Sequence, residues 1–153
     1  MIASVGIVKD YVRPGKLRIV MRPWAFLGPD SITGQHATLA ASLQNRAFNY
    51  ASVLYDNQGE ENTGWLNQTM VTSAAASVPG MDVPKLLADQ DSSTVKALAD
   101  TVDTLATADK VNSTPTLLVG KTGTHGKVVT LSSPTDRASL VKAIDAELAA
   151  SGN

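Results

Sequence analysis

Asn112-Ser113-Thr114-Pro115-Thr116-Leu117-Leu118-Val119-Gly120 is the stretch whose reading decides the fold. Apolar and β-branched residues follow a proline and stop at a glycine, the pattern of a short buried strand entered through Thr114-Pro115. Proline has no N–H to give a sheet ladder, so it belongs at the first residue of a strand or on an edge. Downstream, Gly120-Lys121-Thr122-Gly123-Thr124-His125-Gly126 reads as a glycine-punctuated turn into Lys127-Val128-Val129-Thr130-Leu131, which predicts an antiparallel hairpin. Ser133-Pro134-Thr135-Asp136 then starts a last helix, with Leu140, Val141, Ile144 and Leu148 at helical spacing and Gly152 at its end.

Upstream of the decisive stretch the chain is mostly helical. A long alanine-rich helix is expected from Ile32 to about Tyr55, opened by Pro29-Asp30-Ser31. A polar loop at 57–64, a helix from Trp65 to about Ser77, one or two helical turns at 83–88 and a helix from Ser92 or Ser93 complete the block. Before all of these, Arg13-Pro14-Gly15-Lys16 makes a turn into Lys16-Leu17-Arg18-Ile19-Val20-Met21-Arg22, read as a core strand that ends at Pro23. Residues 1–12 fit either a helix, through Ile2, Val5, Val8 and Val12, or a strand around Val5-Gly6-Ile7-Val8. The order is strand, helical block, strand, hairpin partner, helix. That is α/β, with residues 1–29 and 111–153 as core, residues 30–110 as an all-helical insertion, and one compact domain overall.

Composition narrows the function classes. The 153 residues are 43% hydrophobic and 18% charged with a formal charge of -1, which suits a globular protein and recommends neither nucleic acid nor an anionic membrane as partner. No stretch reaches the apolar length of a membrane span, and Met1–Val8 lacks the basic start and cleavage site of a signal peptide. Cysteine is absent. These residues therefore supply no disulfide, thiolate metal ligand or cysteine nucleophile, and the redox compartment stays open.

Several lesser patterns read as structure rather than chemistry. Val119-Gly120-Lys121-Thr122 ends like a phosphate loop, but the glycine required five residues earlier is Pro115 and a strand fills the place of the cradle. His36 and His125 have no metal-ligand spacing, and no serine sits in a nucleophile elbow. Glu60-Glu61 reads as a solvated pair or a helix cap. Trp24, Phe26, Phe48, Tyr50, Tyr55 and Trp65 read as core rather than as a groove. Asn67-Gln68-Thr69 and Asn112-Ser113-Thr114 match a glycosylation pattern that matters only in a eukaryotic secretory host. No metal and no cofactor is expected.

The order of elements resembles a DsbA-like thioredoxin-fold disulfide oxidoreductase, in the bacterial branch with a helical domain inserted into the thioredoxin core. The residues that carry this are Tyr11 to Val20, Leu54-Tyr55, Asn57-Gln58-Gly59-Glu60-Glu61-Asn62, Gly64-Trp65, Thr114-Pro115-Thr116 and Leu118 to Gly123. The similarity runs from roughly Val8 to Ala150. In that family the core opens with a strand leading into Cys-x-x-Cys, and the present sequence reads as starting downstream of it. Family activity is thiol–disulfide exchange, usually extracytoplasmic in bacteria, and it requires a thiolate. No catalytic residue is therefore expected here.

The resemblance implies that Pro115 is cis and that Ser113, Thr114 and Pro115 form the substrate-binding loop. There the residue before the proline pairs by main-chain hydrogen bonds with an extended peptide. The resemblance also places the missing strand between residues 16–22 and 116–119. Met1–Val8 replacing it, the two flanking strands meeting directly, or a second chain supplying an edge would each repair the sheet. The expected partners are extended peptide or protein segments, or a second copy in a homodimer.

Overall fold

Ten positive-φ positions among the described residues divide the chain into short segments, and five of its helices open on a capping side chain or an early proline. The computed structural model describes residues 6–133 and 135–152. The chain separates into two compact units, Met1–Val20 with Val111–Asn153, and Met21–Lys110.

The second unit holds five helices: α1 (Pro29–Ser42), α2 (Ala47–Asp56), α3 (Gln68–Ala76), α4 (Val83–Gln90) and α5 (Ser93–Ala108). Four of their starts have a local cause. Pro29 occupies the first turn of α1, where a missing N–H costs nothing. Asn67 accepts from the N–H groups of Thr69 and Met70, Asp82 from Lys85 N–H and Ser92 from Val95 N–H, satisfying donors that a helix leaves orphaned. Ser92 thus starts the helix predicted there, whereas the Asn67 cap delays the helix expected from Trp65 until Gln68. Ala37, Ala40 and Ala41 on α1 are fully enclosed, and α1 packs against α2, α4 and α5. Small side chains permit that close approach, while Tyr50, Val71, Leu86 and Val95 supply the volume.

One predicted helix is two. The chain breaks after Ser42, and Asn45 takes φ 57°, a left-handed conformation that asparagine tolerates. The break is pinned from outside. Gln44 Nε2 donates to Asp82 O at 3.0 Å, its Oε1 accepts from Asp82 N–H at 2.9 Å, and Arg46 Nε donates to Pro79 O at 3.2 Å. These tertiary bonds override the helix propensity of the run 32–55.

The first unit contains a short π-helix (Val8–Val12), a two-stranded antiparallel sheet of β1 (Leu118–Val119) and β2 (Lys127–Val128), and α6 (Arg137–Ala150). Ile7, Leu140 and Ile144 are its buried centre, with Tyr11, Leu17, Ile19, Leu117, Val119 and Leu131 packed against them. Tyr11 Oη donates to Asp145 Oδ1 at 2.8 Å and Arg137 Nη2 to Asp10 Oδ2 at 2.6 Å, tying the π-helix to α6. The helical alternative for the N-terminal stretch is the one adopted up to Val12; residues 1–5 lie outside the described residues.

The strand predicted at Lys16–Arg22 does not form. Leu17 and Ile19 do alternate inward onto the α6 cluster while Arg18 and Val20 are exposed, so the period-two pattern is obeyed. Among the described residues, however, no backbone bond joins residues 18–22 to a neighbouring strand. Burial pattern alone does not make a ladder. Direct pairing of this segment with β1, one of the three expected repairs, is therefore excluded among the described residues. Replacement by Met1–Val8 fails over Gly6–Val8, where the chain turns into the π-helix.

Candidate functional site

The loop at 112–116 is shaped by its own side chains. Ser113, Thr114 and Pro115 are exposed and form a bend, and the Thr114–Pro115 peptide is cis. The half-buried Thr116 donates its hydroxyl to Ser113 O at 2.6 Å, closing the bend around the proline.

Past the loop, the ladder register fixes which main-chain groups stay open. Leu118 faces Val128 and Val119 faces Lys127, and Val129 N–H donates to Leu117 O at 2.8 Å. Bonded and non-bonded pairs alternate in an antiparallel ladder, so Leu117 and Val119 direct their polar groups to β2 and Leu118 directs its own to the opposite edge. Among the described residues no backbone group meets Leu118 there. Leu117 and Val119 meanwhile pack their half-buried side chains on the cluster of Ile7, Leu140 and Ile144, anchoring the strand on that side.

The main-chain edge at Leu118 and the Thr116 hydroxyl were not singled out from sequence. The Ser113-x-x-Thr116 spacing would have pointed to the second, because serine and threonine hydroxyls characteristically close such turns. Of the aromatics expected in the core, Tyr50 is fully enclosed and Trp65 packs against the core, whereas Phe26, Phe48 and Tyr55 are exposed. Burial raises the Tyr50 phenol well above its ordinary pKa range, and its Oη donates to Val71 O at 3.3 Å. Phe26 stacks on Trp24 with ring centroids 4.4 Å apart. The exposed pair Phe48 and Tyr55 lie seven residues apart on one face of α2, which a check of helical phase against Tyr50 and Leu54 would have separated from the core.

The remaining patterns carry no site. Gly120 through Thr122 belong to the β1–β2 connection, and Gly120 lies so close to Gly126 that an added Cβ would stand 2.7 Å from its Cα. No helix succeeds this loop to receive a phosphate. Glu60 and Glu61 are exposed in a loop, and His36 is half-buried on α1. Among the described residues no three His, Cys, Asp or Glu side chains gather to hold a metal ion, and no helix is long and apolar enough to cross a membrane.

The family model described as Thioredoxin matches residues 3–146 of the chain. Among solved structures, a thioredoxin-like oxidoreductase from Silicibacter pomeroyi DSS-3 superposes with a TM-score of 0.69 at 25% sequence identity, over 94% of this chain and 76% of that one. No curated protein matches.

Proposed function

Because the chain belongs to the thioredoxin family, we propose that it is a DsbA-like member whose 153 residues perform no thiol–disulfide exchange and instead bind extended polypeptide at Ser113-Thr114-Pro115. Exchange proceeds by attack of a thiolate on a disulfide sulfur, and the sequence holds no cysteine. What supports retained binding is the exposed bend at 113–115 running directly into an edge of β1 that is open among the described residues. A polypeptide in extended form pairs with such an edge through its own main chain, a recognition mode that depends little on ligand sequence.

The observation that carries the reading is the absence of sulfur nucleophiles beside an intact, accessible proline loop. It is tested by titrating a fluorescein-labelled extended peptide into the protein and following anisotropy. Saturable binding is expected, weakened severalfold in Pro115→Ala, because the pyrrolidine ring fixes φ and its loss frees the bend to other conformations. An affinity unchanged by that substitution removes the loop from the site. In parallel, the protein is expected to leave the rate of dithiol oxidation and of disulfide reduction at background.

A second reading is favoured by the Leu118 edge and the segment at 18–22, neither of which has a backbone partner strand there among the described residues. Two copies would pair edge to edge, as exposed strands tend to do. Light scattering after size-exclusion chromatography distinguishes it: twice the chain mass supports pairing, and a monomer at all accessible concentrations excludes it.

A further inference from the structure

The formal charge of -1 conceals two units of opposite sign. Residues 1–20 and 111–153 carry eight Lys or Arg against four Asp or Glu, whereas residues 21–110 carry five against ten. In the cationic unit, moreover, every acid is engaged. Asp10 holds Arg137, Glu147 holds Lys127 at 3.1 Å, Asp145 accepts from Tyr11 and Asp136 caps α6. Among the described residues, the side chains of Lys9, Arg13, Lys16, Arg18, Lys121 and Lys142 enter no ion pair or hydrogen bond. The excess positive charge of this unit is therefore uncompensated within it.

Three of these cations lie on segments that share an apolar cluster with β1 or follow it directly in the chain. Lys121 lies two residues past β1, and Lys16 and Arg18 alternate with Leu17, which packs on the same cluster as Leu117 and Val119. Lys16, Arg18 and Lys121 are all exposed. We infer that the Thr114–Leu118 edge selects extended peptides that are acidic, main-chain pairing supplying attachment and these cations supplying choice. The inference rests on the peptide-binding reading of that edge. Unpaired like charges repel one another, and a carboxylate-bearing ligand relieves that repulsion as it docks.

The test uses three labelled extended peptides with the same apolar alternation and with Glu, Gln or Lys at the intervening positions. Anisotropy titrations at about 0.02 M and about 0.5 M salt separate screened from unscreened attraction. At low salt the Glu peptide is expected to bind about tenfold tighter than the Gln peptide, the size of two or three exposed ion pairs acting together. The advantage should collapse at high salt and in the Lys16→Gln, Arg18→Gln double variant, whose exposed positions leave the fold intact. Equal affinity for the Glu and Gln peptides overturns the charge preference and spares the edge. Absence of binding by all three peptides removes the edge reading and this inference with it. A dimer that the double variant dissolves, without discrimination among the peptides, would assign the cations to the acidic 21–110 unit of a second copy and overturn the proposal too.

Discussion

Asp136 shows how much a single side chain settles. Its carboxylate accepts from Ser132 N–H at 3.0 Å, from Ser139 N–H at 3.1 Å and from the Ser132 hydroxyl at 2.8 Å, and these bonds hold its pKa well below the usual carboxylate range. A depressed folded pKa adds stability above the ordinary value of about 4, and that stability drains away as pH falls toward the folded one. Asp136→Ala should lower Tm by ~2–4 °C at neutral pH. The gap to wild type should narrow steadily below about pH 4, where protonation weakens the native cap as well. Thermal melts from pH 7 down to pH 2 check both parts, and a gap independent of pH would deny the charge any role. Asp136 was legible from sequence as part of a helix start, but its grip on Ser132 was not, because that bond reaches backwards across the turn.

At the scale of elements, the two largest failures of sequence reading share one cause, which is that tertiary partners decide. The run from Ile32 to Tyr55 has helix-forming composition throughout, yet Gln44 and Arg46 find backbone partners at Asp82 and Pro79 and the helix divides. Lys16–Arg22 has strand periodicity, yet lacks a ladder among the described residues. By contrast, α5, the β1–β2 hairpin and α6 were readable because their caps, glycines and periodicity agree locally. The division at Asn45 is itself testable. Glycine accepts φ 57° freely and a β-branched residue resists it, so Asn45→Val should be less stable than Asn45→Gly by about 1–2 kcal/mol. Urea unfolding measures both, and a Val variant as stable as the Gly variant would refute the left-handed turn.

Across the whole molecule, family membership was readable from the order of elements and from Thr114-Pro115, while the proposed binding edge at Leu118 was not. Periodicity marks side chains, and the edge at Leu118 is made of main-chain groups whose direction only the ladder register reveals. The opposite charges of the two units are hidden for a different reason: a total of -1 averages them away. On the proposed reading, a chain without cysteine in a family of oxidoreductase folds would keep the part of the architecture that grips polypeptide. The most direct measurement is a ¹⁵N–¹H correlation spectrum recorded while neutral and acidic extended peptides are titrated in. Saturable shifts should concentrate at the amides of Thr114, Thr116 and Leu118, larger at equal concentration for the acidic peptide, with α5 amides unmoved. Shifts confined to α5 or to the exposed Phe48–Tyr55 face, or no saturable shift at all, would contradict a peptide-binding edge.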